Sequence, residues 1–447
     1  MLLQKIPKLS IAFLLVIITS NANAQTATQH KFSLKQAVDF AKKNNVQVKN
    51  ALLNIKIQEQ SNRGVTAAAY PSISANVGTT YYIDIPTSLI PGQIFGGAPG
   101  SYIPVQFGTK YTTNAGVQLQ QLLFDGQVFV GLEARAVSMQ WKQKEYEVTE
   151  EAITVNINKI YYQLVVSKSQ IELLDANITR FEKLKHDVSE MYKNGFSEKL
   201  DVDKVDVTLS NLKTEKIKVN NAIEIGYIGL KTLIGMPSKD TLVLTDKITD
   251  ADIKADALVD SANYNDRKDY QYLQLLKKLN EFNIKRYQLS YLPVISLNGS
   301  YSKQAQRNKY TFFEKGDWYT TSYVGLNIAV PIFSGFGKDA KVKQSKLELQ
   351  QVENNIGSLK ISIDGETEQA KLKYKSAIET IDAQKRNMQL AEKVYEQTKK
   401  KFEIGTASNT DITNSQTELK TAQTNYISAL YDAVITKVDY LKAIGKL

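Results

Sequence analysis

The sequence predicts an α+β membrane protein, internally duplicated, in which long transmembrane strands alternate with very long coiled-coil helices. Three observations carry this expectation. The second half of the chain falls on the first when Gly405 is laid over Gly195. The segments between helices alternate apolar and polar residues over ten to fourteen positions. Only 9 prolines interrupt the 447 residues, which leaves room for helices of unusual length.

The N-terminus comes first. Lys5 and Lys8 precede the apolar run 11–18, and Ala22 and Ala24 occupy the small-residue positions of an A-x-A cleavage site. The run is too short to cross a bilayer as a helix, so residues 1–24 read as a cleaved secretory signal. No cysteine follows it to carry a lipid. Loss of Lys5 and Lys8 lowers the formal charge of +10 by two, and the remaining basic residues alternate with acidic ones along helices. That is a solvated helical surface, and nucleic acid is not an expected partner. A chain with no cysteine has no disulfide, thiolate metal site or thiol nucleophile. Its two histidines, His30 and His186, stand apart in polar surroundings. No catalytic, cofactor or metal site is expected, and the chain does not read as an enzyme.

The repeat defines the domains. Residues 195–235 align without gaps on 405–445, sharing Gly195/Gly405, Asp201/Asp411, Leu209/Leu419, Ile217/Ile427, Ile234/Ile444 and Gly235/Gly445. The first repeat, 25–235, is expected to hold a helix at 46–69, strands 71–83 and 111–124, a long helix 126–192 and a helix 198–234. The second, 263–447, is expected to hold a helix at 266–290, strands 293–303 and 319–333, a long helix 336–401 and a helix 408–443. Between them, 236–262 reads as a belt with a short β-like stretch at Leu242-Val243-Leu244 and small helices.

The strands have period two: Ile73, Ala75 and Val77 alternate with Ser72, Ser74 and Asn76. Their length suits a tilted transmembrane strand, and aromatics such as Tyr81, Tyr111, Tyr301 and Tyr323 crowd their ends as in an interfacial girdle. A half-buried sheet with tyrosines at its rim would share these features. The helices decide against it. Each long one is about 66 residues, or about 100 Å at 1.5 Å per residue. Apolar positions recur every seven residues, at Val342, Leu349, Ile356 and Ile363 and again at Ile412, Leu419, Tyr426 and Ala433. That period implies left-handed supercoiling. Four strands cannot close a barrel, and an open sheet edge is not tolerated in lipid, so the chain must assemble with copies of itself. Eight strands need a dimer and twelve a trimer.

The loop 84–110, with four prolines and five glycines, reads as a disordered extracellular loop. Residues 335–340 match G-x-G-x-x-A, but no βαβ unit follows, and the glycines read instead as the means of turning the chain from strand to helix.

The signal, the two repeats, the junctions Phe124-Asp125-Gly126 and Pro331-Ile332-Phe333-Ser334-Gly335, and the break "IGTASNTDI" resemble the TolC-like outer-membrane efflux proteins. The resemblance implies a homotrimer whose twelve strands, four per chain, form one barrel in outer-membrane lipid, continued by a periplasmic α-helical tunnel. It implies an exit duct for drugs and toxic compounds, or for proteins in a type I secretion system. The implied partners are a periplasmic adaptor and an inner-membrane transporter. A periplasmic coiled-coil scaffold is the alternative that ignores the strands. By resemblance, Gly195, Gly405 and Thr406 form the periplasmic tip turns; the first turn has Phe196 in place of the threonine. Phe124, Gly126, Pro331 and Gly335 mark the barrel-to-tunnel junctions. The family's acidic constriction after the second turn matches Asp411, with Asn414 in place of its second acid and Asp201 as the counterpart in the first repeat. Asp411 also stands where a helix-starting aspartate would cap its own helix, after Ser408, Asn409 and Thr410.

Overall fold

The computed structural model describes residues 29–248, 253 and 263–447. The expected signal, 1–24, and most of the expected belt helices lie outside the described residues. In chain order the elements are β1 (Gln29–Phe32), α1 (Leu34–Asn44), α2 (Val46–Ala67), β2 (Ser72–Tyr81), β3 (Thr87–Pro91), β4 (Tyr102–Gln106) and β5 (Tyr111–Phe124). Then come α3 (Gly126–Lys193), α4 (Lys199–Ile234), β6 (Thr241–Leu244), α5 (Lys268–Leu289), β7 (Val294–Arg307), β8 (Tyr319–Ala329), α6 (Gly337–Glu403) and α7 (Asn409–Ala443). None of the described helices is long and apolar enough to cross a membrane.

Two compact units divide the chain. The first, made of the described residues within 1–49, 149–263 and 365–447, is mainly helical. One core joins Phe181, Leu184 and Val188 of α3 to Val205 and Leu209 of α4, Tyr395 of α6, and Ile412 and Leu419 of α7. Each such side chain taken fully out of water contributes about 1.5–3 kcal/mol, which is why the seven-residue pattern fixes which faces meet. A second core collects Val166, Ile381, Ile427, Leu430 and Val434. A third stacks Tyr374 on Tyr440, ring centres 5.6 Å apart, with the Tyr374 hydroxyl donating to the Ile253 carbonyl.

The same unit contains a parallel strand pair, β1 with β6, that aligns Gln29 with Thr241 and Phe32 with Leu244. The Leu242–Leu244 stretch is therefore half of a pair whose partner lies at the other end of the first half of the chain. The Asp246 carboxylate accepts from the Leu34 amide at 2.8 Å, and the Tyr161 hydroxyl donates to the Phe32 carbonyl at 3.0 Å. Burial pushes that phenol up to about 12. Ser33 and Gln36 form a capping box on α1.

The second unit takes residues 50–148 and 264–364. Its sheet has the order β2-β5-β7-β8, antiparallel throughout. A bulge between Leu122 and Phe124 breaks the β5–β7 register. Every residue of β2 is exposed, and so is every residue of β8 except Gly325, which is half-buried. The central strands are partly covered. Among the helices of this unit, Asn62 of α2 donates to the Arg135 carbonyl of α3 at 3.1 Å, and Tyr270 of α5 packs with Val352, Ile356 and Ile363 of α6.

Two expectations are corrected. The last strand stops at Ala329 rather than 333, because Pro331 has no amide to donate and the chain leaves the ladder before it. The loop 84–110 is not irregular: β3 and β4 form an antiparallel hairpin, and Gly96 and Gly100, both at positive φ, turn the chain between them.

Candidate functional site

The two breaks between helices are built alike. Gly195 has φ +79° and Gly405 φ +75°, and in both places a Cβ would meet nothing within 4 Å. The glycines are there for backbone conformation, not for space. In the first turn the Gly195 amide donates to the Tyr192 carbonyl at 3.0 Å and the Phe196 amide to the Met191 carbonyl at 2.8 Å. In the second, the Gly405 amide donates to Phe402 at 2.9 Å and the Thr406 amide to Lys401 at 2.8 Å. This is the paired end of a Schellman turn. Thr406 adds a hydroxyl bond to the Lys401 carbonyl at 3.1 Å, which Phe196 cannot. Phe196 and Ile404 are largely exposed.

After each turn an aspartate closes the start of the returning helix. Asp411 Oδ2 accepts from the Ser408 amide at 2.9 Å and the Ser408 hydroxyl at 2.7 Å, while the Asp411 amide donates back to Ser408 Oγ at 3.1 Å. Asp201 Oδ2 accepts from the Ser197 hydroxyl at 3.1 Å and the Glu198 amide at 3.4 Å. Of the three candidate caps in the second turn, Ser408 is the one used; Asn409 instead reaches the first hairpin, donating to the Asp201 carbonyl at 3.4 Å. The two turns are thus in direct contact. Desolvation acts to raise the Asp201 carboxyl, but hydrogen bonds from Asn409, Ser197 and Glu198, with Lys204 nearby, leave it below the usual aspartate range. The Ser408 hydroxyl and amide lower Asp411 in the same direction. Asn414 is exposed one turn further along α7.

The junction residues behave differently from one another. Phe124 ends β5 after the bulge and lies 5.6 Å from Phe129, ring to ring. Asp125 caps α3 by accepting from the Gln127 amide at 2.8 Å. At Gly126 a Cβ would fall 2.7 Å from the Leu289 Cβ and 2.9 Å from its carbonyl oxygen, so this glycine is required for close approach. Pro331 stands in the irregular stretch after β8. Gly335 has φ +58°, and Phe336 follows at +63°, the one described non-glycine residue at positive φ. Lys338 then donates to the Ser290 carbonyl at 2.5 Å.

Residues 280–446 match the family model described as outer membrane efflux protein. The outer membrane protein TolC of Vibrio cholerae is 20% identical over 342 residues, which span 75% of this chain and 77% of that protein. TolC of Escherichia coli is 21% identical over 350 residues, 75% of this chain and 70% of that one. In fold, the chain superposes on the outer membrane protein VceC of Vibrio cholerae with a TM-score of 0.73 at 14% identity, covering 92% of this chain and 96% of that one. With CusC the TM-score is 0.77 at 14% identity over 95% of both. Residues 280–446 thus carry the outer membrane efflux protein pattern, and the fold over nearly the whole chain is that of outer membrane channels. The family match and the TolC relatives place the protein in the outer membrane with a large periplasmic extension, and its long helices suit the tunnel part of that fold.

Sequence reasoning missed α1 and the β1–β6 pair. The first had a readable signal in Ser33 and Gln36, a serine followed by glutamine at capping-box spacing. Of the second, the Leu242-Val243-Leu244 half reads as β-like, but its partner Gln29–Phe32 does not, since a four-residue strand carries no periodicity of its own.

Proposed function

We propose that this TolC-like chain is the outer-membrane exit duct of a tripartite export system, passing small toxic compounds outward from a periplasmic adaptor and an inner-membrane transporter. The observation that carries the reading is the state of the sheet. Its edge strands β2 and β8 are exposed throughout or nearly so, and each is bonded on one side only among the described residues. An even number of antiparallel strands leaves β2 and β8 running in opposite directions, so β8 of one copy can continue the ladder on β2 of the next. Three copies then close twelve strands into one barrel, and the two halves of each chain are copies of one duplicated unit. At the tip, Asp201 and Asp411 from three chains form a six-carboxylate constriction, with Asn414 one turn behind. A second reading, a duct for secreted proteins, is favoured by the alkaline protease secretion protein AprF of Pseudomonas aeruginosa, 19% identical over 324 residues.

The protein extracted from outer-membrane fractions is expected to migrate as a heat-dissociable trimer and to conduct in planar bilayers. Recovery as a water-soluble periplasmic monomer would sink the duct. Asp411→Ala is expected to weaken cation preference and block by multivalent cations; unchanged conductance properties would leave the aspartates as caps only.

A further inference from the structure

The strand register assigns every residue of the sheet to one of two faces, and charge is distributed between them in an unusual way. One face is apolar: Ile73 lies beside Leu119, Leu297 beside Leu326, and Ile295 beside Ile328. The other is polar in row after row. Ser74 pairs with Gln118, Gln118 with Ser300, and Ser300 with Tyr323. Two residues higher, Asn76 pairs with Gly116, Gly116 with Ser302, and Ser302 with Thr321. From the level of Ser72 to that of Thr80, about 27 Å along a strand, this face holds no Asp, Glu, Lys, Arg or His. The four strands contain only two charged residues, Lys303 and Arg307. Both fall on the other face, Lys303 beside Ala115 and Arg307 beside Tyr111. Tyr111 in turn pairs with Tyr81, at the end of the sheet where aromatics gather.

In a barrel the apolar face meets lipid and the polar face lines the lumen. A ring of like charge in a narrow pore with low-dielectric walls concentrates counter-ions and repels co-ions. Side chains of Ser, Thr, Asn and Gln have both donors and acceptors, so they can solvate a cation, an anion or a neutral polar solute. We infer that the membrane section of the duct is a neutral hydrogen-bonding sleeve with no charge filter. It accepts cargo of either sign, and zwitterions, and any charge preference of the whole duct arises outside these four strands. This inference rests on the duct reading.

The chain has no cysteine, so a single Ser300→Cys provides one reporter thiol on the lumen face of each copy. The assembled protein is treated from the outer side with a cationic and an anionic methanethiosulfonate reagent, each of which forms a mixed disulfide and releases a sulfinate. The expected ratio of the two rates, normalised to that of a small free thiol, is within about twofold of one, because no fixed charge biases reagent concentration. A ratio displaced by about tenfold or more would overturn the neutral sleeve. Tyr301→Cys, on the opposite face, is expected to resist both reagents; modification there with protection at residue 300 would overturn the assignment of faces and the inference with it. Gln118→Cys, in the same row, supplies the reading if Ser300→Cys does not assemble. Conductance of the unaltered protein reports on the duct separately: a conducting protein with asymmetric rates defeats only the sleeve, and a non-conducting one defeats the duct.

Discussion

At their C-terminal ends the long helices α3 and α6 finish in turns with the same backbone bonds and glycine φ values within a few degrees. At their N-terminal ends the glycines differ in kind. Gly126 is wedged against Leu289, whereas Gly335 stands in open space at φ +58°. The same residue type answers two physical needs, contact distance in one place and backbone handedness in the other. Substitutions separate them, because a side chain that tolerates positive φ relieves only the second need.

The largest effect is expected at Gly126. Gly126→Ala must push against both the Leu289 side chain and its backbone oxygen, which puts the loss at about 1–3 kcal/mol. Gly126→Asn should be at least as damaging. Urea unfolding monitored by loss of the assembled species measures both. Next comes Gly405→Ala, at about 1–2 kcal/mol for forcing a left-handed backbone. Gly405→Asn is expected to recover much of that, since asparagine visits this region more readily. An equal loss from Ala and Asn at 405 would mean that the turn is held by packing after all, and the contrast with Gly126 would collapse.

The caps give a smaller and finer contrast between the two turns. Ser408→Ala removes the hydroxyl that receives the Asp411 amide and should cost about 1 kcal/mol. Glu198 makes no side-chain cap bond, and Glu198→Ala should change little. The smallest effect is one of pH. Both aspartate carboxyls are lowered by folding, from an ordinary value of 3.8. Their contribution is therefore fully present above that value and is lost as pH falls through it toward the lower folded values. Stability measured from pH 6 downward should decline below about pH 4, and Asp411→Asn should flatten part of that slope.

The two turns could be read from sequence because each depends on local chemistry: a glycine at the helix end, then an aspartate at the start of the next helix. The long helices were legible from the recurrence of Ile356, Ile363, Ile412 and Leu419, all buried. The face alternation of β2 and β5 was equally plain. What local pattern did not reveal was pairing at a distance. Nothing in Gln29–Phe32 points to Thr241–Leu244, and the prolines at 86, 91, 99 and 104 hid the β3–β4 hairpin. Nor did the two glycine-led junctions differ on paper; the approach of Leu289 to Gly126 and the positive φ of Gly335 distinguish them.

The central ladder of the sheet joins Tyr111 to Arg307, and β8 can be added only after β7. A ribosome therefore releases β2 and β5 long before their neighbours exist. The first hairpin must wait, through the synthesis and export of α3, α4 and α5, with both outer edges of its ladder open. Long-range pairing of this kind is slow because a large loop must close first. Meanwhile α3, α4 and the turn at Gly195 can form from local contacts alone. The order of assembly is thus written into the topology: helical hairpins early, the sheet late, and the unpaired strands in need of a holding partner in the interval.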